Sequence, residues 1–435
     1  MAPCAFVYIK TTTKEVLSLS IKVKWKTLIY QLYPAAWPGG LRQMAEFLPR
    51  IKALGADYVW LSPCYESPWI DGGYDISDYE SIHPRFGTLS DFDDFVHTAN
   101  SLGLQVLMDL VLNHTSTEHI WFKKSVERKE LRYLNYYHWE DRDLGWHNIF
   151  DGGPAFEWNP ERRQFYLHLF HPTQADLNWD TPAVLTEFQK IIDFWTLDHG
   201  AGGFRLDVAQ FLGKIMHRAI LPWRFAGGRN YFMKPQTLEI LHELFDHRRI
   251  FTVAEAGSLF KSHLEKLAGE NGPLSATMNV MIPNLLDKPI FIGLPSASRL
   301  EHRVKKWSKL PYLALALESH DLPRATSRLH RYGEEIVGMM TEANPRILCL
   351  YQGQEIGTRN PVLSDDIKDY SDIQTIMQYH RGKPMETLKA TSRDNARVPL
   401  NLNEYDEQET LYHWTENNPL TTVREHLSNW KAQVV

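Results

Sequence analysis

The chain has 435 residues, 43% of them hydrophobic, and a formal net charge of −6. That supports one large domain with attachments, and it offers no basic patch of the kind that follows a phosphate backbone, so nucleic acid is not an expected partner. No apolar run is long enough to span a bilayer, no secretory-signal pattern opens the chain, and the three scattered cysteines (Cys4, Cys64, Cys349) show no zinc spacing and suit a reduced, cytoplasmic setting.

Residues 1–24 match no recognisable pattern and read as an N-terminal extension. From Trp25 onward, short apolar runs alternate with helical periodicity. Strands are predicted at 27–33, 58–62, 105–109, 203–207, 250–255, 277–282, 312–317 and 347–351. Helices are predicted at 41–54, 90–102, 183–197, 236–245, 262–267, 298–307 and 334–341. Such alternation implies right-handed β-α-β units and a parallel sheet, and eight units are the count of a closed (β/α)8 TIM barrel. A doubly wound open sheet is the alternative, but no GxGxxG turn follows the first strand.

The rhythm breaks between Asn113 and Pro182, in a stretch rich in Trp, Tyr, Asn and Gly. A connection that long is expected to be a functional insertion or small domain, here 113–181. The barrel then occupies 25–112 and 182–380, with 365–380 as its candidate final helix. Residues 381–435 read as a polar, irregular C-terminal remnant.

Acidic residues gather where the predicted strands end. The third ends in Asp109, with Asn113 and His114 close behind. The fourth, Gly203-Phe204-Arg205-Leu206-Asp207, ends in Asp207, and the fifth in Glu255. The seventh runs into Glu318, Ser319, His320 and Asp321. Arg205 and Asp207, two apart on a strand, project to the same side. Alone they read equally well as a buried structural ion pair or as an ionised nucleophile. In a β/α barrel, however, C-terminal strand ends surround one pocket, and like charges gathered there would be a poor way to stabilise a core. Several carboxylates with no metal cage and no cysteine nucleophile fit glycosidic bond cleavage, in which one carboxylate attacks the anomeric carbon and one acid protonates the leaving oxygen. Arg205 is expected to make Asp207 the low-pKa member, and the apolar run before Glu255 to make it the high-pKa acid.

These residues stand in motifs that resemble glycoside hydrolase family 13, the α-amylase superfamily, and within it the oligo-1,6-glucosidase, α-glucosidase and sucrose isomerase group. The matching stretches include DLVLNHTS (109–116), QADLNWD (174–180), GFRLDV (203–208), TVAEAG (252–257), SHDLPR (319–324), DGGYDISDY (71–79), YQGQEIG (351–357) and RDNARVP (393–399). The resemblance implies a covalent retaining mechanism with Asp207 as nucleophile, Glu255 as general acid/base and Asp321 as a third carboxylate gripping sugar hydroxyls. It implies that Arg205 orients the nucleophile and that His114 and His320 hydrogen-bond the non-reducing glucose. Asp71 and Arg397 would close the pocket behind that glucose, and Tyr74 would be the aromatic platform under it. Phe150, Phe170 and Gln174 would line the entrance. A closed pocket implies exo action on a short α-glucoside. Val208 matches the members that accept α-1,6 links, whereas maltose-type enzymes tend to carry Thr there. Asp109 reads as a structural partner of Arg205, and the stretch around Glu355 as support for strand eight. No cofactor is implied. A sucrose isomerase or other glucosyl transferase is the alternative, and a non-catalytic glycosidase-like binding protein is a further one.

Four places depart from the family pattern. Tyr33-Pro34 is followed by Ala-Ala-Trp-Pro-Gly-Gly, with no acidic residue for a calcium loop, so no metal is expected there. The segment between Asp207 and Glu255 is short. Glu318-Ser319 stands where the group usually has two asparagines. The C-terminal β-sandwich is reduced or absent, which would leave the final barrel helix exposed and makes a homodimer one expected answer.

Overall fold

Eight parallel strands close on themselves in sequence order: β1 (Thr27–Leu32), β2 (Tyr58–Leu61), β3 (Gln105–Val111), β4 (Gly203–Asp207), β5 (Phe251–Ala256), β6 (Ala276–Asn279), β7 (Leu313–Leu315) and β8 (Ile347–Tyr351), with β8 pairing back to β1. This is the (β/α)8 barrel. The structure, a computed structural model, describes residues 21–23, 25–218, 228–258, 260–281, 297–412 and 418–433.

Side-chain alternation builds the two layers of the core. Leu28, Tyr30 and Leu32 of β1 pack outward against the helices, while Ile29 joins Trp60, Leu107, Phe251, Val253 and Met278 in the apolar interior. The same parity turns Asp109, Arg205, Asp207 and Glu255 inward. Register places Arg205 beside Asp109 on one side and Val253 on the other. Gly203 permits this close approach: it sits at φ 154°, and a Cβ there would collide with the carbonyl oxygen of Phe251.

The outer ring is Gly40–Ala53, Leu89–Ser101, Pro182–Asp193, Pro235–Phe245, Lys261–Ala268, Ala297–Ser308 and Gly333–Glu342, each within a few residues of its sequence prediction. Local sequence fixes the starts. Thr88 caps Leu89–Ser101 in a reciprocal box with Asp91. Pro182 and Pro235 stand in the first turns of their helices, where the missing N–H costs nothing.

Between β3 and Pro182, the chain forms a helix (Ile120–Glu127), a three-stranded antiparallel sheet (Trp139–Glu140, Gln164–Leu167, Phe156–Asn159) and a two-stranded pair (His114–Ser116 with Gln174–Asp176). That pair hangs the insert directly from the end of β3. A fully buried lysine reinforces the joint. Lys214, just beyond β4, lies 3.1 Å from Asp176 Oδ2 and donates to Asn113 Oδ1 at 2.9 Å.

Three expectations need correction. β3 continues two residues past Asp109, so Asp109 lies inside the barrel rather than at its rim. The tail is not irregular: Leu402–Tyr412 and Pro419–Ala432 are helices. Tyr405 packs edge-on to Phe47 of the first barrel helix, and Pro419–Ala432 packs against Gly333–Glu342, with Trp430 Nε1 donating to the Pro345 carbonyl. These two tail helices therefore fill the eighth helical position. The predicted helix at 365–380 is present only as Ile373–His380, and it stands at the pocket rim instead. After β8, no strand occurs among the described residues.

Of the N-terminal extension, residues 1–20 and 24 lie outside the described residues. Ile21 and Val23 pack against the barrel interior at its N-terminal end, and Lys22 Nζ donates to the carbonyls of Gly269, Gly272 and Leu274. Among the described residues no helix is long and apolar enough to cross a membrane.

Candidate active site

A cavity of about 700 Å³ opens at the C-terminal ends of the strands. Nine of the thirteen residues given a role in the site from the sequence line it: Asp71, Tyr74, His114, Phe150, Phe170, Asp207, Val208, Glu255 and Asp321. The other four, Gln174, Arg205, His320 and Arg397, stand behind that lining and hold it in place.

Arg205 is the centre of the buried network. Its Nη1 lies 2.7 Å from Asp109 Oδ1 and 2.9 Å from Asp207 Oδ1, and its Nη2 pairs with Glu255 Oε2. The guanidinium sits over the Trp60 ring, 5.0 Å from its centroid. Asp109 is saturated from below, since Trp60 Nε1 (3.1 Å) and the Tyr74 hydroxyl (2.9 Å) both donate to its Oδ2. Asp109 thus holds Arg205, as the sequence suggested, and does not reach the cavity.

The electrostatics overturn one expectation. Burial raises the Asp207 carboxyl to about 7, Arg205 pulls it down, and the charges of Asp109 and Asp321 push it up again. One guanidinium shared among several carboxylates cannot neutralise them all. Asp207 is therefore not the low-pKa acid. That place belongs to Asp321. Burial works to raise it, but His320, which carries charge only in the acid range where Asp321 itself titrates, and the guanidiniums of Arg397, Arg393 and Arg205 hold it below the usual carboxylate range.

His320 is clamped between two rings, stacked on Tyr74 (5.3 Å between centroids, 7° between planes) and on Tyr33 (5.7 Å, 16°). Its Nδ1 takes a 2.7 Å hydrogen bond from Gln31 Nε2, which leaves the proton on Nε2, 3.2 Å from Asp321 Oδ2. Burial lowers His320 to about 3 and His114 to about 4, so both imidazoles are neutral. In this arrangement His114 Nε2 faces the Tyr74 carbonyl (3.1 Å) and Nε2 of Gln174 (3.2 Å). Tyr74 lines the cavity, but one face of its ring is taken by His320. Val208, next to Asp207, adopts φ 36°, ψ 42°. A β-branched side chain in the left-handed region is strained, and such strain collects at functional sites.

The pair expected to close the pocket, Asp71 with Arg397, is not formed. Asp71 Oδ1 pairs instead with Arg393 at 2.7 Å, and Gln174 donates to its Oδ2 at 2.9 Å. Arg397 turns to Asp321 Oδ1 (2.8 Å) and the His320 carbonyl (3.0 Å). Arg393 also meets Asp372 (2.7 Å) and lies 3.5 Å from Asp321, so one guanidinium ties three acids into a wall. Arg393 and Asp372 were missed in the sequence. Both arginines belong to the same RDNARVP motif, and only the fold decides which one faces Asp71.

Among the described residues no group of three His, Cys, Asp or Glu side chains is placed to hold a metal ion. Glu318 is spent on a buried pair with Arg324 (2.7 Å), and Glu355 accepts from the Tyr30 hydroxyl at 2.5 Å.

Carboxylates at the C-terminal ends of neighbouring barrel strands, facing one cavity, are the arrangement of a glycoside hydrolase of the α-amylase family. The chain belongs to that family: the model of the alpha-amylase catalytic domain matches residues 10–426. The chain is 36% identical over 415 residues to the trehalose-6-phosphate hydrolase of Escherichia coli (strain K12), covering 86% of this chain and 74% of that protein. It is 34% identical over 430 residues to the oligo-1,6-glucosidase of Parageobacillus thermoglucosidasius, covering 87% and 75%. The crystal structure of Bacillus licheniformis trehalose-6-phosphate hydrolase superposes with a TM-score of 0.82 at 31% identity, covering 95% of this chain and 84% of that one. A trehalulose synthase variant in complex with Tris gives 0.83 at 26% identity, covering 94% and 84%.

Proposed function

We propose that this chain is a retaining, exo-acting α-glucosidase that releases glucose from the non-reducing end of short α-glucosides, with isomaltose-type α-1,6 links preferred. The observation that carries the reading is the Asp71–Arg393–Asp372 wall beside Asp321, which bounds the cavity next to the carboxylate pair. Asp207 and Glu255 share one guanidinium, which favours the short carboxylate spacing, about 5 Å, of retaining enzymes.

In this reading an Asp207 oxygen attacks the anomeric carbon, and the bond to the glycosidic oxygen breaks as Glu255 protonates that oxygen. Water then attacks the same carbon and passes its proton to Glu255, and the bond to Asp207 breaks. Asp321, kept ionised by its arginines, and neutral His320 hold the sugar hydroxyls. The two described cysteines, Cys64 and Cys349, are free and buried, in keeping with a cytoplasmic enzyme.

A second reading has its own support. Arg328 and Lys383 also line the cavity, and relatives named trehalose-6-phosphate hydrolase align over most of the chain, so a phosphorylated disaccharide would meet cations there. Incubation with isomaltose, maltose, sucrose, trehalose and trehalose 6-phosphate separates the readings. The expected result is free glucose from isomaltose, with kcat/KM roughly tenfold above maltose. Turnover confined to trehalose 6-phosphate would replace it with the second reading. A rearranged disaccharide from sucrose, without free glucose, would point to an isomerase.

A further inference from the structure

Two connections far apart in the chain meet at the cavity mouth. One is the insert loop around residues 148–153, and the other is the rim helix Ile373–His380 with the turn that follows it. Phe150 carries the first into the cavity wall, where it packs on Phe170 (5.3 Å between centroids) beneath the Arg393 guanidinium. Gln374 and Gln378 carry the second, and both line the cavity.

The contacts that join the two halves are polar and lie on the outer side. Gln378 Nε2 donates to the Phe150 carbonyl at 2.8 Å, and Gln374 reaches the same oxygen at 3.5 Å. Outside these, Arg381 Nε lies 2.7 Å from Asp151 Oδ2. Asp151 is preset for this role. Its other oxygen accepts from Gly153 N (2.8 Å), and its own N–H donates to Asn148 Oδ1 (3.0 Å), so the carboxylate cannot swing away. The loop passes so close that a Cβ at Gly153 would collide with the Arg381 guanidinium. Arg381 is half exposed while the Asp151 carboxylate is nearly buried, so the pair can open by movement of the arginine into solvent with the carboxylate left in its loop. Asp151 and Arg381 touch none of the carboxylates described above, so the reaction itself gives no reason for their pairing.

We propose that Asp151 and Arg381 form a clasp across the pocket mouth that sets substrate length. Closed, it roofs the cavity and admits only short glucosides. Opened, it lets the unreacted end of a longer chain leave the cavity between the insert loop and the rim helix. This rests on the exo-glucosidase reading, so its test carries one readout that needs no turnover.

The test compares wild type with Arg381→Gln, with Gly153→Ala, which displaces the guanidinium without removing it, and with Arg381→Lys, which keeps the charge and leaves Asp151 and its bond from Gly153 N in place. Hydrogen exchange of the 148–155 amides is expected to quicken about fivefold in the first two variants and to stay near wild type in the lysine variant. The kcat/KM ratio of isomaltohexaose to isomaltose is expected to rise by about the same factor, with isomaltose turnover unchanged. Unchanged exchange would overturn the clasp. Faster exchange with an unchanged ratio would overturn its role in length selection. Absence of turnover on every α-glucoside would count against the proposed activity, while exchange would still decide whether the clasp exists.

Discussion

Asp207→Asn is expected to abolish glucose release, with kcat lowered roughly 10⁴-fold or more, while the protein becomes more stable at neutral pH. The first effect follows if Asp207 forms the covalent bond, because a carboxamide cannot replace the attacking oxygen. The second follows from its surroundings. Burial lifts the Asp207 carboxyl from its ordinary 3.8 to about 7, so between those values the folded chain holds a proton that the unfolded chain has released. A folded value above the unfolded one gives a contribution that is intact below about pH 4 and lost as pH rises toward 7. At pH 7 the native state carries the cost of an ionised acid beside Asp109 and Asp321. Asparagine removes that charge and can still accept from Arg205, so the variant should gain at least about 1 kcal/mol. Thermal melting at pH 7 and pH 4 checks the sign: the gain should be present at the first and absent at the second. A variant less stable than wild type at pH 7 would mean that Arg205 outweighs burial.

Lys214→Met is expected to cost about 3–5 kcal/mol, the penalty for leaving a buried charge without its partner. The Lys214 side chain and the carboxylate of Asp176 are fully buried. Methionine fills the space but leaves Asp176 only the amide of Asn113 (3.2 Å) and the Leu169 N–H (2.9 Å). Because Asp176 and Gln174 share one strand of the insert, loosening it should also release Gln174 from Asp71 and raise KM. Denaturant midpoints measure the stability change. The double variant Lys214→Met/Asp176→Leu should recover only part of it, since the uncompensated charge is gone but the Asn113 amide and the Leu169 N–H lose their acceptor. A loss below about 1 kcal/mol in the single variant would show the joint to be held by its strands alone.

The barrel was legible because its strands are short apolar runs whose inward positions turn to charged residues toward their C-terminal ends. Asp207 and Glu255 stand where that switch occurs, and both line the cavity. Asp321 was legible from the motif that follows β7. What local sequence could not supply was the sum over distant neighbours. Arg205, two residues away, argues for a low Asp207 value. Burial, Asp109 on the next strand and Asp321 more than a hundred residues on argue the other way, and they prevail. The choice between Arg393 and Arg397 failed for a similar reason: they lie four residues apart in one motif, and their spacing gives no direction. The tail was misread from composition. Leu402–Tyr412 reads NEYDEQE along most of its length and buries Tyr405 within it, which looks like a solvated segment until Phe47 is set beside it. Leu420, Val423, Leu427 and Trp430 do form a helical stripe, and that signal was present in the sequence.

Double displacement through a glucosyl-enzyme leaves its signature in the anomer of the first product. Purified enzyme is mixed with the best substrate of the panel and followed by proton NMR within the first turnovers, before mutarotation. Two displacements at one carbon restore its configuration, so α-glucose should appear first and the β anomer should grow in only at the mutarotation rate. β-Glucose appearing first would mean a single inverting displacement, and would contradict the roles of Asp207 as nucleophile and Glu255 as acid/base.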